Sequence, residues 1–281
     1  MKIEKADEIG LCFGVKRTID ILEGVTRERG GVETLGAVVH NQQILQRLAE
    51  MGIKVVKNVD DIQGDVVAIG SHGISPRLEE KIRARHIDII NTTCPFVHRA
   101  QITARRLVES GFFVIIYGDV DHPEVQGILG WAKNRGVVTL NEKFITEIDH
   151  LPHRLGLLSQ TTQIPTHFTE FVKKLIDDIF ARNSELRIID TICHDIRKRQ
   201  STALALAHRV DLMLVIGDRD SANTNHLAKL CSTTTTTYLV ETVEEIQHSW
   251  FKDKHHIGIT AGASTAEQAI NKVTAKLETI T

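Results

Sequence analysis

The sequence predicts an α/β protein built from three small related units, whose parallel sheets surround a central cleft. The first observation is a repeated spacing: Cys12, Cys94 and Cys193 are each followed by a glycine 24 residues later and by a polar side chain 28 residues later. The second is that strand-like and helix-like segments alternate after each cysteine. Internal repeats of this kind indicate one supersecondary unit copied along the chain.

The segments that lead to the second and third cysteines are closely similar. Residues 87–94 read IDIINTTC and residues 186–193 read LRIIDTIC. Each is a short apolar run that ends in small polar residues, which is typical of a buried strand entering a turn. We therefore take these segments as the opening strands of the second and third units.

A helix is expected to begin at each cysteine. After Cys12, apolar residues recur at positions 15, 19 and 22, which is the helical period. Pro95 follows Cys94 directly, and proline is well tolerated at the first position of a helix. Because helix N-termini favour anions, the three thiols are expected to have lowered pKa values.

Two more strands are expected in each unit. One ends at the glycine of the repeat, and the other ends in a loop rich in small polar residues. Strands that alternate with helices form parallel sheets, and ligands bind beyond the carboxyl ends of such strands. The later strands with their loops cover residues 66–73, 155–162 and 256–265.

These elements divide the chain into three predicted domains. They comprise residues 1–85 with Cys12, 86–185 with Cys94 and 186–281 with Cys193. We expect them to be related by pseudo-threefold symmetry, with the strand ends of all three facing one cleft.

Composition excludes several classes of protein. The 281 residues carry a net charge of −2, with 42% hydrophobic and 25% charged residues, as in ordinary globular proteins. This balance argues against nucleic acid or an anionic membrane as partner. Apolar runs are far shorter than the ~20 residues that span a bilayer. The N-terminal residues include acids and lack the apolar stretch of a signal sequence, so we expect a cytoplasmic protein.

The cysteines favour an iron-sulfur cluster. Four cysteines are too few for a disulfide scaffold in so long a chain, which leaves metal ligands or reactive thiols. Structural zinc sites draw on local Cys-x2-Cys pairs, and the sequence has none. One cysteine per unit suits a large cluster, and three ligands for a four-iron cluster leave one iron open to substrate. Cys231 lies outside the repeat, beside Leu227 on an apolar helix face, and is expected to pack in a core.

Polar side chains at the predicted strand ends suit an anionic, phosphate-bearing ligand. They combine imidazoles, hydroxyls and amides, and helix N-termini add to such an anion site. Glu124 is the one carboxylate among them and the natural group to handle protons. An alternative is that three of the polar residues simply cap helices: Glu124, Asn223 and Ser264. Residues 197–199, with the sequence RKR, are expected to form a solvated helix face. The predicted lining consists of His40, His72, His122, Glu124, Thr161, Thr162, Ser221, Asn223 and Ser264.

Taken together, the motifs of the chain resemble those of one enzyme family. Residues 7–15 read DEIGLCFGV, 71–73 SHG, 92–95 TTCP, 122–125 HPEV, 160–162 QTT, 221–224 SANT and 260–265 TAGAST, with HN at 40–41 and TIC at 191–193. In combination they are similar to the LytB (IspH) family of 4-hydroxy-3-methylbut-2-enyl diphosphate reductases. The resemblance runs from residue 7 to about residue 265.

This resemblance implies an activity and a set of roles. The reaction is the last step of the methylerythritol phosphate pathway, in which reduction removes the C4 hydroxyl and yields isopentenyl and dimethylallyl diphosphate. One [4Fe-4S] cluster would be held by Cys12, Cys94 and Cys193, with the substrate hydroxyl on the fourth iron. Glu124, with Thr161 or Thr162, would deliver protons, and electrons would come singly from ferredoxin or flavodoxin. The diphosphate would be bound by His40, His72, His122, Ser221, Asn223 and Ser264, with His122, Thr161 and Thr162 also beside the reacting group.

Two residues depart from the family pattern. Ala222 stands where the family usually has a second serine, and Ile196 stands where it commonly has a threonine. The first change removes a hydroxyl from the diphosphate pocket. We expect weaker or rearranged substrate binding, and a paralogue with a shifted substrate stays open.

Three other functions remain as alternatives. An open-iron hydro-lyase would turn over without a reductant. A cluster-based redox or oxygen sensor would have no affinity for allylic diphosphates. A cysteine-nucleophile hydrolase needs only one of the three repeated cysteines, so the other two would be dispensable.

Overall fold

The computed structural model describes residues 1–39, 41–141, 152–180 and 185–280. Within these ranges the strands form three four-stranded sheets, and every pairing between strands is parallel. The predicted α/β class is thereby confirmed. The strands are β1 (Lys2–Lys5), β2 (Val32–Leu35), β3 (Ile53–Val56), β4 (Val66–Ile69), β5 (Asp88–Asn91), β6 (Phe113–Tyr117), β7 (Gly136–Thr139), β8 (Arg154–Ser159), β9 (Glu185–Ile189), β10 (Leu212–Ile216), β11 (Thr236–Val240) and β12 (His256–Ala261). The α-helices are α1 (Phe13–Arg29), α2 (Gln42–Glu50), α3 (Pro76–Arg83), α4 (Pro95–Glu109), α5 (Pro123–Trp131), α6 (Pro165–Phe180), α7 (His194–Ala207), α8 (Ala222–Ser232) and α9 (Glu267–Ile280).

The three sheets share one strand order. Sheet 1 runs β3-β2-β4-β5, sheet 2 runs β7-β6-β8-β9 and sheet 3 runs β11-β10-β12-β1. The fourth strand of sheet 3 is therefore supplied by the N-terminus of the chain. The repeated cysteine spacing therefore corresponds to a repeated sheet topology. In the third copy, the N-terminal strand β1 pairs with the C-terminal strand β12 to complete the sheet.

The edge strands correct one sequence-based expectation. Residues 87–94 and 186–193 were expected to open new units, but β5 pairs with β4 and β9 pairs with β8, so each closes the preceding sheet. An apolar run indicates a strand but carries no information on the strand it will pair with. The predicted domain boundaries at residues 85 and 185 stay a prediction.

By their internal contacts the described residues form two compact bodies. Body 1 comprises residues 1–16, 39–51 and 194–281, and body 2 comprises residues 17–38 and 52–193. Sheet 3 belongs to body 1, and sheets 1 and 2 belong to body 2.

Sheet 3 is buried on both faces. Leu212, Leu214 and Ile216 of β10 pack with apolar residues of α9, while Met213 and Val215 pack with α7 and α8. This alternation follows from the two-residue period of a strand. Cys231 lies in the second of these layers, fully buried as predicted, and burial raises the pKa of its thiol to about 12.

Sheet 2 is covered in the same way within body 2. Val114 and Ile116 of β6 face α4 and α5, whereas Ile115 and Tyr117 face α6. Helix α4, which follows Cys94, and helix α5, which follows Gly118, therefore lie on the same face of sheet 2. None of the helices in the described ranges is long and apolar enough to cross a bilayer.

Candidate active site

Each cysteine of the repeat is fixed by its backbone to the loop after the third strand of its sheet. The acceptor carbonyl lies two residues beyond β12, β4 or β8, so the three contacts are equivalent. A helix begins at the residue after each cysteine, as predicted. The N–H groups donate from Cys12 to Ala263 at 2.9 Å, from Cys94 to Ser71 at 3.0 Å and from Cys193 to Thr161 at 2.9 Å.

The glycines of the repeat also occupy equivalent positions. Each follows the second strand in the order of its sheet, β2, β6 or β10, and donates its N–H to the last residue of the neighbouring edge strand, β3, β7 or β11. Gly217 has φ +150, and a Cβ there would lie 2.8 Å from the hydroxyls of both Thr224 and Thr265. A Cβ on Gly118 would lie 2.9 Å from Val125 Cγ2. Close packing beside the strand ends therefore excludes larger residues at these positions.

Two threonines that we did not predict fix the segments before Cys94 and Cys193. Thr191 Oγ1 donates to the carbonyl of Ser159 at 2.5 Å and accepts from its N–H at 2.9 Å. Thr92 Oγ1 donates to the carbonyl of Ile69, and Thr18 Oγ1 donates to the carbonyl of Thr92 at 3.1 Å. Both threonines stand two residues before a cysteine in the similar segments INTTC and IDTIC, so a signal for them was present.

Glu124 is a buried acid in the first turn of α5. Its side chain is 1% exposed. The N–H of Thr161 donates to Oε1 at 2.6 Å, and the Thr161 hydroxyl donates to Oε2 at 2.8 Å. Burial raises the pKa of Glu124 to about 7, although the two hydrogen bonds from Thr161 oppose the shift. A carboxyl with this pKa exchanges its proton near neutral pH, as a general acid must.

Two histidines accompany this acid in body 2. His122 is the N-cap of α5, and its Nδ1 accepts from the N–H of Glu124 at 3.2 Å. In the neutral ring the proton then resides on Nε2. The rings of His72 and His122 meet edge to face, with centroids 5.2 Å apart. His72 directly follows Ser71, which anchors Cys94. The structure thus brings His72, His122, Glu124 and Thr161 together, and Thr162 is the next residue of the same loop.

Body 1 carries the predicted residues Ser221, Asn223 and Ser264, all of them buried. Ser221 is the N-cap of α8, where its Oγ accepts from the N–H of Thr224 at 3.4 Å. Neither the oxygen nor the nitrogen of the Asn223 amide has a hydrogen-bond partner among the described residues. An unpaired buried amide costs about 1–3 kcal/mol, which a polar ligand would recover. Ala222 is the first residue of α8.

His40 lies outside the described residues, but its neighbour Asn41 lies within them. Asn41 is the buried N-cap of α2, and its Oδ1 accepts from the N–H of Ile44 at 3.0 Å. It lines a cavity of about 140 Å³ in body 1 together with Gly217 and Thr265. Sequence reasoning assigned no role to Asn41, although an asparagine before an apolar helix is a capping signal.

The electrostatics of Cys12 differ from the expectation. Burial raises the pKa of its thiol, and the N–H groups of Gly14 and Val15 and the charge of Arg199 only partly offset this. Arg199 is itself 3% exposed, so this member of the RKR run is not solvated. Its Nη1 donates to the carbonyls of Glu8 at 3.3 Å and Ala261 at 3.1 Å. The prediction of a lowered pKa was wrong for Cys12 because desolvation outweighs the helix N-terminus.

All four cysteines lie within the described ranges, and none of them forms a disulfide. Within the described ranges, no three His, Cys, Asp or Glu side chains converge closely enough to hold a single metal ion. Ile196, the second departure from the family pattern, is 4% exposed in α7. A buried apolar side chain therefore occupies this position, where the resemblance leads us to expect a threonine.

A match between this sequence and a protein-family model identifies the family of the chain. The family model described as LytB protein matches residues 3–278. The chain belongs to the LytB family. The family resemblance of the motifs is confirmed by this match.

LytB proteins of known name align over nearly the whole chain. The 4-hydroxy-3-methylbut-2-enyl diphosphate reductase of Dehalococcoides mccartyi strain CBDB1 is 56% identical over 278 residues, which is 99% of this chain and 98% of that protein. The protein of the same name from Geobacter metallireducens is 37% identical over 282 residues, covering 100% of this chain and 98% of the relative.

Solved structures of such reductases share the fold. The enzyme from Plasmodium falciparum superposes with a TM-score of 0.90 at 23% identity, over 98% of this chain and 87% of that one. A second structure, of (E)-4-hydroxy-3-methyl-but-2-enyl diphosphate reductase, gives a TM-score of 0.72 at 35% identity, over 99% of this chain and 100% of that one.

Proposed function

We propose that this LytB-family chain removes the C4 hydroxyl of 4-hydroxy-3-methylbut-2-enyl diphosphate by reduction. The products are isopentenyl and dimethylallyl diphosphate, and the reaction is the last step of the methylerythritol phosphate pathway. The observation that carries the proposal is the buried Glu124, which has a pKa of about 7 and is hydrogen-bonded to the same Thr161 that anchors Cys193. The names of the aligned relatives agree with this reaction.

Cys12, Cys94 and Cys193 are proposed as the ligands of one [4Fe-4S] cluster. Their equivalent backbone anchors and their places before helix starts support this set, and none of the three is tied up in a disulfide. When bound, such a cluster supplies electrons and a Lewis-acidic iron with an open position for the substrate hydroxyl. Cys231, fully buried in a core, has no part in the proposal.

The diphosphate is proposed to bind neutral donors and helix N-termini. The unpaired amide of Asn223 supports this, as do the positions of His122 and Ser221 as N-caps of α5 and α8. Neutral donors bind the diphosphate without a fixed positive charge. Such a charge would bind the diphosphate of the product equally and retain it. The proposed contacts are those of His40, His72, His122, Thr161, Thr162, Ser221, Asn223 and Ser264.

Glu124 is proposed to supply the protons through the Thr161 hydroxyl. The reaction takes two electrons and two protons: the C4–O bond breaks, the oxygen leaves as water and a C–H bond forms on the allyl fragment. Protonation at C2 gives isopentenyl diphosphate, and protonation at C4 gives dimethylallyl diphosphate. Burial of Glu124 keeps bulk water from competing for its proton.

The electrons are proposed to arrive one at a time from ferredoxin or flavodoxin. The four cysteines form no disulfide, as is usual in a reducing compartment, so we place the reaction in the cytoplasm. No nucleic acid or membrane partner is part of the proposal.

An anaerobic product assay tests this function. Purified, cluster-loaded protein is incubated with 4-hydroxy-3-methylbut-2-enyl diphosphate, with and without dithionite and methyl viologen, and the products are separated. The two C5 diphosphates are expected only with reductant, and E124Q is expected to lose them while the exposed control E80Q keeps them. Turnover without reductant would instead establish the hydro-lyase.

A further inference from the structure

We propose that one exposed face of body 2 docks a small acidic protein that carries a single electron. This face, called the α4–α5 basic face, consists of His98, Arg99, Arg105, Arg106, Trp131 and Lys133. The inference rests on the proposed reductase function, which needs two electrons from outside the chain. It adds the surface at which these electrons enter the protein.

The centre of the face is a rigid aromatic group. Trp131, the last residue of α5, is half-buried, and its Nε1 donates to the carbonyl of Ile74 at 3.0 Å. The ring of His98 meets it edge to face at 6.0 Å, and the Arg105 guanidinium lies 5.6 Å from its centroid. Tryptophan and arginine held in fixed positions are typical of the residues that dominate protein–protein binding.

The charge of the face is opposite to that of the whole chain. Residues 95–109 and 123–135 contain five Lys or Arg and two acids, although the protein has a net charge of −2. One acid, Glu124, is buried, and the other, Glu109, is ion-paired with Arg105 at 3.6 Å. Arg99, Arg106 and Lys133 are exposed and form no ion pair with any acid that the structure describes. Such a field attracts an acidic protein and accelerates its association.

The face leads directly to a proposed cluster ligand. Cys94 is the N-cap of α4, and the N–H of His98 donates to the Cys94 carbonyl at 2.9 Å. Four residues of helix rise by about 6 Å, so a carrier seated on Trp131 has a short path to the cysteine. Each encounter would pass one electron from the reduced carrier to the cluster. Two encounters and two protons complete one turnover and release one water.

Charge also argues against a second copy of this chain as the occupant. In a symmetric dimer the same face would meet itself, and its unpaired cations would repel each other. An acidic partner removes that repulsion. A dimer that forms through this face is therefore an outcome against the proposal.

Binding and electron transfer can be tested separately with charge-reversal variants. The double variant R99E/R106E and the single variant K133E alter the face, and K173E is the control. Lys173 is exposed on α6, which covers the opposite face of sheet 2. The probe is an acidic [2Fe-2S] ferredoxin, titrated in oxidised form against the loaded enzyme by calorimetry at several salt concentrations.

We expect R99E/R106E to weaken ferredoxin binding by about tenfold or more and to reduce its salt dependence, with K173E close to the parent. Ferredoxin-driven turnover should fall in parallel, while dithionite-driven turnover stays unchanged. Equal effects of K173E, unchanged binding by R99E/R106E, or a change of oligomeric state in the variants would each overturn the proposal. Absence of dithionite-driven turnover in the parent would refute the proposed function instead, and the binding result would still stand by itself.

Discussion

The hydroxyl of Thr161 donates to Oε2 of Glu124 at 2.8 Å, while its N–H donates to Oε1 at 2.6 Å. The carbonyl of the same threonine accepts the N–H of Cys193 at 2.9 Å. One residue therefore sets both the protonation of the acid and the position of a proposed cluster ligand. The two donated hydrogen bonds favour the carboxylate and burial favours the carboxylic acid, and the pKa of about 7 reflects this balance.

The first prediction concerns the pH dependence of turnover. Because Glu124 acts as the acid, kcat/KM for the diphosphate substrate should fall as pH rises through about 7. E124Q should lower the rate by about a hundredfold or more and abolish this limb. Dithionite-driven rates measured from pH 5.5 to about 8.5 provide the test. A parent profile that is flat across neutral pH would contradict the assignment.

The second prediction concerns stability. The folded-state pKa of Glu124 is about 7 and its ordinary value is 4.5, so the native state binds the proton more tightly than the unfolded state. Its contribution is full below pH 4.5 and is lost as pH rises to about 7, by about 3 kcal/mol. Urea unfolding at several pH values should show this slope in the parent and in E80Q. In E124Q this component of the slope should be absent, and equal slopes in the parent and in E124Q between pH 4.5 and about 7 would refute the shift.

The third prediction separates the Thr161 hydroxyl from the rest of the loop. T161V removes a donor to the carboxylate and the hydroxyl proposed to pass on the protons, so turnover should fall, the pKa of Glu124 should rise further and the alkaline limb of the remaining rate should move to higher pH. T161S keeps the hydroxyl and should restore the parent limb. An unshifted limb in T161V would mean that the hydroxyl does not control the acid.

The fourth prediction concerns the threonine before Cys193. T191V leaves the buried backbone of Ser159 without its hydroxyl partner, and we expect a loss of about 1–3 kcal/mol in the free energy of unfolding. T169V alters an exposed threonine of α6 and should change stability by less than about 0.5 kcal/mol. Denaturant unfolding of both variants checks this. Equal stabilities would deny Thr191 its positioning role.

The fifth prediction concerns the departure at Ala222. A222S restores a hydroxyl at the start of α8, and one added hydrogen bond of about 0.5–1.5 kcal/mol should lower KM for the diphosphate by about two- to tenfold. The rate constant kcat should stay the same because residue 222 is not among the residues proposed to act on the reacting group. A205S on the exposed surface of α7 is the control and should change neither constant. A higher KM in A222S would show that the alanine is adapted to this pocket.

Much of the fold was predictable because its signals are local. Pro95 indicates the start of α4. Gly118 and Gly217 are required because neighbouring side chains leave no room for a Cβ at these positions. The pairing of β5 with β4 was not predictable, since it joins segments whose patterns do not encode partners. The raised pKa of Cys12 was likewise not predictable from the sequence, because the burial that raises it is set by the tertiary fold.

The candidate site divides in the same way. Glu124 stood out as a single carboxylate among neutral donors, and the fold places it in a buried position beside His122. The choice of Thr161 over Thr162 as its partner depends on the direction of side chains in a loop, which the motif QTT does not specify. Arg199 was misjudged because a run of charges resembles a solvated helix face until its burial is known.

Electron counting in heavy water tests whether this protein reduces the substrate with external electrons and solvent protons. Loaded protein is supplied with a measured amount of reduced one-electron carrier and 4-hydroxy-3-methylbut-2-enyl diphosphate in D2O, and products and oxidised carrier are quantified together. We predict that two carriers are oxidised per C5 diphosphate formed and that each product carries one solvent deuterium on carbon. Product formed without oxidation of the carrier, or lacking that deuterium, would contradict it.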